Sequence, residues 1–338
     1  MTFLFACLSV IPLAGWMGKA TEHLAEQTSE GIGGLLNATF GNAAEFIIAF
    51  MAMQKGMTEI VKASLTGSII GNLLLVLGAS LLAGGLRNRE QQFNASGARI
   101  QSTLLSLAAV ALIVPAAFHH SAGPEGVTHE TSLSLLISIL LLGAYGLGLF
   151  FSLHTHKHLF AGHTHSHEKN NDGKADQGNA ETHMWSKRKA ITILVTATAC
   201  VAWISEILVG TVEHAAESLG MSHVFVGVVV VAVIGNAAEH STAVLVALKN
   251  RMDLSLSIAI GSSVQVALFV APLLIVLSHF FAPAPMNLVF SLPEVIAVVL
   301  SVAVVSQIAG DGESNWLEGV LLLAVYAVLA IVFYFLPG

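Results

Sequence analysis

The pentapeptide Gly-Asn-Ala-Ala-Glu occurs twice in the sequence, at Gly41–Glu45 and at Gly235–Glu239, and each copy lies near the middle of a long apolar segment. An acidic side chain at the centre of a bilayer costs at least a few kcal/mol of free energy. Such a residue is retained where it faces a partner, an ion or a water-filled cavity. The paired motif therefore indicates one intramembrane site that is assembled from two distant parts of the chain.

The composition of the chain is that of a membrane protein. Of its 338 residues, 55% are hydrophobic and only 10% are charged, whereas soluble domains carry about 25% charged residues. The net charge is −7 and no basic patch is present, which argues against a nucleic-acid-binding protein. An enzyme is also disfavoured, because no nucleophile with a nearby base, phosphate-binding loop or organic cofactor motif can be identified.

Ten apolar runs are long enough to cross a bilayer as helices, which requires about 20 residues each. They are 3–24, 30–53, 58–84, 98–118, 132–153, 190–214, 224–248, 254–279, 291–309 and 316–336. Transmembrane β-strands would instead be short and alternate in hydropathy. The sequence therefore predicts an all-α integral membrane protein with about ten transmembrane helices in contact with the lipid bilayer.

The positive charges predict the orientation of these helices. Of the 14 Lys and Arg residues, all but Lys55 and Lys62 fall on one set of connections, which is therefore predicted to be cytoplasmic. Both termini then lie outside. The compact chain suits a bacterial inner membrane.

The two halves of the chain resemble each other. With Gly41 placed on Gly235, an offset of 194 residues (235 minus 41), Lys55 matches Lys249 and Gly67-Ser68 matches Gly261-Ser262. Residues 22–26 resemble residues 213–217 at an offset of 191 (213 minus 22). We interpret residues 1–153 as a first five-helix repeat, 154–189 as a cytoplasmic linker and 190–338 as a second five-helix repeat. Because five is odd, the second repeat is inverted, as in secondary transporters with a midplane site.

The motif chemistry favours a hard cation. Ca²⁺ prefers six to eight oxygen ligands, and Glu45, Glu239 and the amides of Asn42 and Asn236 offer such oxygens. Gly41-Asn42 and Gly235-Asn236 are expected to loosen the helices and free backbone carbonyls. No cysteine lies near the motifs, so a soft thiolate site is disfavoured. The alternative is a pair of protonated glutamates with a structural role.

An exchange mechanism follows as a hypothesis. When Ca²⁺ leaves, two nearby carboxylates repel each other, and protons neutralise the empty site. Ca²⁺ and protons would thus compete for the same oxygens.

Several segments resemble the Ca²⁺/H⁺ antiporter (CAX) family. They are Gly-Gly-Leu-Leu-Asn-Ala-Thr-Phe-Gly-Asn-Ala-Ala-Glu at 33–45, Val-Ile-Gly-Asn-Ala-Ala-Glu-His at 233–240, Ile-Pro-Leu-Ala at 11–14, Gly-Ser-Ser-Val-Gln at 261–265 and Asp-Gly-Glu-Ser-Asn-Trp-Leu-Glu-Gly at 311–319. The resemblance implies the cation/Ca²⁺ exchanger fold and a secondary active transporter that exchanges Ca²⁺ for H⁺. It implies that Glu45 and Glu239 bind Ca²⁺ or protons in turn.

The resemblance also implies which other side chains line the site, namely those of Ser68, Asn72, His240, Ser262 and Gln265. It implies a homo-oligomer, with a trimer as the expectation, and gating by the helices at 3–24 and 190–214. The family usually has an extra helix before the first repeat, and this sequence begins at the helix that would follow it.

The 154–189 segment differs from the acidic stretch that the family often has there. It contains seven histidines, at positions 154, 156, 158, 163, 165, 167 and 183. They indicate either a solvated tail or a regulatory segment that binds transition metals. The functions that compete with Ca²⁺/H⁺ exchange are a Na⁺-coupled cation exchanger, a transporter of Zn²⁺, Mn²⁺ or Cd²⁺, and a passive channel.

Overall fold

The computed structural model describes residues 2–28, 30–156 and 185–336. The first half contains α1 (Thr2–Glu26), α2 (Glu30–Phe40), α3 (Ala43–Gln54), α4 (Thr58–Arg87), β1 (Gln91–Gln92), α5 (Ala95–Ser121), α6 (Gly123–Val127) and α7 (Glu130–Thr155). The second half contains α8 (Lys187–Leu219), a helical turn (His223–Phe225) that leads into α9 (Val226–Gly235), α10 (Ala237–Leu248), α11 (Met252–Phe281), α12 (Leu292–Ile308), β2 (Glu313–Ser314) and α13 (Trp316–Phe335).

The protein is a multi-pass membrane protein. Seven helices within the described ranges are long and apolar enough to cross a bilayer, namely α1, α4, α5, α7, α8, α11 and α13. The α9–α10 pair, bent by 64°, would make an eighth span. Large apolar side chains also cover the outer surface; Leu147 is 72% exposed and Phe335 is 77% exposed. Such a surface is stable against lipid rather than water.

The structure differs from the predicted spans at three places, and the predicted count of ten is not confirmed. The run 30–53 is not one helix but two, α2 and α3, and the run 224–248 breaks in the same way between α9 and α10. Both breaks fall at the motif asparagines; Asn42 has φ −100° and ψ 25°, and Asn236 has φ −105° and ψ 7°. Gly and Asn are weak helix formers, so the chain bends there. The third run, 291–309, is the 17-residue helix α12.

Apart from the short helix α6 of the first half, the same order of helices occurs in both halves: a long helix, a broken pair, a second long helix and two more helices. The second long helices, α4 and α11, are the most enclosed, with 72% of the most apolar stretch of each buried. Each contains a π-helical turn, at Gly71–Val76 in α4 and at Val266–Val270 in α11. These two helices form the centre of the molecule, against which the broken pairs pack.

Helices α1 and α8 pack against each other. Met17, Ala20 and Leu24 of α1 share one buried cluster with Ala190 and Leu194 of α8. The rings of Trp16 and Trp185 stack with their centroids 5.6 Å apart. The two helices therefore form a paired unit that also contacts the motif helix α3 through Ala43 and Ala44.

A short antiparallel ladder joins the two halves. Gln91 pairs with Ser314 and Gln92 pairs with Glu313, so the loop after α4 is bonded to the loop before α13. The Gln91 side chain also donates to the carbonyl of Ala247 at the end of α10, at 2.9 Å. These bonds fix the ends of α4 and α10 relative to each other.

Candidate ion-binding site

The two motif glutamates lie in the first turn of the helices that follow the breaks. Glu45 belongs to the first turn of α3 and Glu239 to that of α10. Glu45 is only 3% exposed, whereas Glu239 is half-buried. The positive end of a helix dipole stabilises a carboxylate at this position. The breaks therefore place both acidic groups at helix starts inside the molecule.

Three of the four carboxylate oxygens lack the hydrogen-bond donors that buried charges usually have. Within the described residues, both oxygens of Glu45 and the Oε2 atom of Glu239 are buried without a hydrogen-bond partner. Ser68 and Asn236 adjoin the Glu45 carboxylate, yet neither satisfies its oxygens with ordinary hydrogen-bond geometry. The two glutamates lie close enough to interact electrostatically. A buried carboxylate without donors requires a cation or a proton.

One hydrogen bond links each motif to the central helix of the other half. The Asn236 amide donates to the Ser68 hydroxyl of α4 at 3.0 Å. The Ser262 hydroxyl of α11 donates to the Asn42 amide oxygen at 2.9 Å. Ser68 and Ser262 are equivalent positions of the two repeats, and Ser262 also adjoins Glu239. The site is therefore assembled from both halves in the same way.

Further contacts differ between the halves. The Asn72 amide donates to Ser262 at 3.0 Å, and its oxygen lies 3.1 Å from the Nε2 atom of His240. If the amide is oriented in this way, Nε2 of His240 carries the hydrogen. The position equivalent to His240 in the first half is Phe46. One side of the site is thus more polar than the other.

The two motif glycines have different surroundings. A Cβ atom on Gly41 would lie 3.5 Å from the Gln265 side-chain oxygen and 3.6 Å from the Glu239 Oε1 atom, so Gly41 borders the site. A Cβ atom on Gly235 would instead meet the Cδ1 atom of Ile48 at 3.9 Å. Gly41 therefore lies next to Glu239, whereas Gly235 faces an apolar neighbour.

The expectation of freed carbonyls is wrong for the motif asparagines. The carbonyl of Asn42 accepts the amide of Phe46 at 2.9 Å, and the carbonyl of Asn236 accepts the amide of His240 at 3.0 Å. Each asparagine is the N-cap of the next helix, and an N-cap carbonyl accepts the first helical bond. Oxygen ligands at these positions must come mainly from side chains.

The π-helical turns beside the site carry no signal in the sequence. Those of α4 and α11 immediately follow the region of Ser68 and Ser262. Such turns are frequent at functional sites. The apolar runs are continuous there, so hydropathy could not reveal them.

The histidines of the 154–189 segment contribute no site within the described residues. His154 stacks on Phe150 and His156 stacks on Phe151, with ring centroids 5.2 and 4.1 Å apart. The other five lie outside the described residues. Where the structure describes the chain, it contains no group of three His, Cys, Asp or Glu side chains that could hold a metal ion.

Fold and site together define a polytopic membrane protein in which two repeats share one buried acidic site, the plan of a secondary transporter. The chain belongs to the sodium/calcium exchanger protein family, which matches residues 1–154 and 189–335. It is 46% identical to a Ca²⁺/H⁺ antiporter of Aphanothece halophytica, over 99% of this chain and 90% of that protein.

A second relative and a solved structure support the same family assignment. The Ca²⁺/H⁺ antiporter ChaA of Bacillus subtilis is 46% identical, over 99% of this chain and 92% of that protein. The solved structure of native YfkE has a TM-score of 0.82 and 44% identity, with 99% of this chain and 92% of that chain covered.

Proposed function

We propose that this protein exchanges Ca²⁺ for H⁺ across a membrane by alternating access, and that Glu45 and Glu239 bind Ca²⁺ or protons in turn. The observation that carries the proposal is the pair of motif glutamates, of whose four carboxylate oxygens three are buried without a hydrogen-bond donor. The names of the relatives, at 46% identity over nearly the whole chain, support the same pair of ions.

The oxygen set suits a divalent hard cation. Glu45 and Glu239 supply carboxylates, and Asn42, Ser68 and Gln265 place further side-chain oxygens around them. Ca²⁺ accepts irregular sets of carboxylate, amide and water oxygens. The glutamates neutralise its charge, which stabilises the ion in a site removed from water.

Proton coupling follows from the empty site. Without Ca²⁺, two carboxylates would face each other in a region of low dielectric, where repulsion is strong. Protons relieve this repulsion and satisfy the oxygens that lack donors. Ca²⁺ binding therefore requires proton release, and Ca²⁺ affinity falls as the pH falls. A site that is always neutralised by one ion or the other gives obligate exchange.

The remaining assignments belong to the same proposal. We assign residues 1–153 and 190–338 to the two inverted repeats, which the repeated order of helices supports. His240, Asn72 and Ser262 line the site. The bacterial relatives suit a bacterial inner membrane, and the homo-oligomer implied by the resemblance stays a prediction.

The identity of the driving ion distinguishes this proposal from a Na⁺-coupled exchanger. Proteoliposomes should accumulate Ca²⁺ when a pH gradient is imposed, because protons and Ca²⁺ compete for the same carboxylates. A Na⁺ gradient at equal pH on both sides should drive no uptake. Uptake is measured with radioactive Ca²⁺, and protein-free liposomes are the control. Uptake driven by Na⁺ that persists after the pH gradient is dissipated would contradict the proposal.

A further inference from the structure

An apolar cavity lies beside the site, on the side where α3 ends. Three lining residues, Ile48, Ala49 and Ala52, follow Glu45 on one face of α3. Leu208 and Val212 of α8 close the cavity from the other side. Apart from the hydroxyl of Ser64, its lining is apolar. Such a lining offers a hydrated cation almost no oxygen ligands, and α3 and α8 pack together on this side of the site.

Next to this cavity, a hydrogen bond from Lys55 links the end of α3 to α8. It is the C-cap residue of α3, and its ammonium group donates to the backbone carbonyl of Glu206 in α8 at 3.2 Å. A Cβ atom on Gly210 would lie 3.5 Å from the same nitrogen, so a glycine there leaves room for the ammonium group. The bond joins a motif helix to a member of the paired unit of α1 and α8.

The inverted repeat supplies an equivalent lysine at the opposite end of the molecule. Lys249 is the C-cap residue of α10, as Lys55 is of α3, and the two differ by the repeat offset of 194 residues. In α1, the residue equivalent to Glu206 is Gly15, at the offset of 191. Within the described part of the chain, Lys249 makes no side-chain hydrogen bond or ion pair.

The register of α1 explains why the second bond is absent. Gly15 lies against Ala238, where a Cβ atom on Gly15 would be 4.0 Å from that of Ala238. Ala238 precedes Lys249 by eleven positions (249 minus 238), which is about 16 Å along a helix. A lysine side chain is shorter than this distance, so α1 must move along α10 before Lys249 can reach it.

We propose that Lys55 and Lys249 are positioning residues whose hydrogen bonds to α8 and α1 hold opposite sides of the site closed in turn. We call these two bonds the latches. The Lys55 bond to Glu206 holds the cavity side closed, and the Lys249 bond to the Gly15 carbonyl holds the opposite side closed after α1 and α8 have moved. Only one latch is formed at a time. The proposal rests on alternating access, although not on the identity of the exchanged ions.

The two latches differ in strength. The counterpart of Gly210 is Lys19, whose ammonium group lies 5.9 Å from the centroid of the Trp16 ring. Lys249 would therefore approach a second cation, and like charges repel. The Lys55 latch is the stronger of the two, in agreement with its presence in the structure.

Thiol labelling in the cavity tests the proposal. Ala52→Cys is introduced in a background without Cys7 and Cys200, and a membrane-impermeant maleimide is applied to each side of the membrane in turn. Loss of an exposed charged hydrogen bond by Lys55→Met should raise labelling from the Lys55 side about threefold. Lys249→Met should lower that labelling, by a smaller factor. Lys55→Arg keeps a donor and should restore the original rate.

Equal labelling rates in all variants would contradict the proposal. Changes in the labelling rate in the same direction for Lys55→Met and Lys249→Met would also contradict it. Labelling needs neither a Ca²⁺ nor a pH gradient. The latches can therefore fail while the exchange of Ca²⁺ for protons stands, and the reverse is also possible.

Discussion

Replacement of Glu45 or of Glu239 by Gln is expected to abolish Ca²⁺ uptake driven by a pH gradient. The amide keeps the shape of the side chain but removes the negative charge and the exchangeable proton. Loss of one member of a buried charge set costs about 3–5 kcal/mol, which is more than a hundredfold in affinity. Proteoliposomes with equal amounts of each variant provide the measurement, with Ca²⁺ uptake as the readout.

A matched substitution at the surface controls for the loss of an acidic residue. Glu90 is exposed in the loop before β1, so Glu90→Gln should transport like the original protein. Uptake by Glu45→Gln or Glu239→Gln at a rate similar to that of Glu90→Gln would show that the paired carboxylates are not the ion site.

Gly67→Ala is expected to lower both the melting temperature and the transport rate strongly. A Cβ atom at Gly67 in α4 would overlap the backbone carbonyl of Val228 in α9. The obstacle is backbone, so no side chain can rotate away, and overpacking costs about 1–3 kcal/mol or more. Separation of α4 from α9 would also stretch the bond between Ser68 and Asn236. Thermal unfolding in detergent, together with Ca²⁺ uptake, measures both effects.

Gly71 offers a control for stability on the same helix. Apart from the adjacent residues and backbone of α4 itself, no described atom lies within 4 Å of the place that a Cβ atom on Gly71 would occupy. Gly71→Ala should therefore leave the melting temperature unchanged or raise it, because alanine favours helix more than glycine does. Equal destabilisation by the two substitutions would contradict the close contact between α4 and α9.

The candidate site residues can be singled out from the sequence because they are polar groups in apolar runs that occur at matching positions of two repeats. Glu45 and Glu239 stand out for this reason, as do Ser68 and Ser262. The predicted inversion also explains why the motif of one half meets the central helix of the other. The resemblance to a known family added His240, which has no polar counterpart in the first half.

Other features depend on packing that a sequence pattern does not encode. Lys55 and Lys249 are equivalent in sequence, yet only Lys55 bonds to a neighbouring helix within the described structure. The difference arises from where α1 and α8 lie against the two motif helices, which no sequence pattern encodes. Likewise, hydropathy predicted the run 30–53 as one continuous span, whereas Asn42 separates it into two helices.

Displacement of protons by Ca²⁺ tests the central claim most directly. Purified protein in weakly buffered detergent solution is titrated with Ca²⁺ while a pH indicator reports proton release. A saturable release of protons is expected from the original protein, and none from the double variant Glu45→Gln/Glu239→Gln. Saturable Ca²⁺ binding to the original protein with no proton release between mildly acidic and neutral pH would contradict the account.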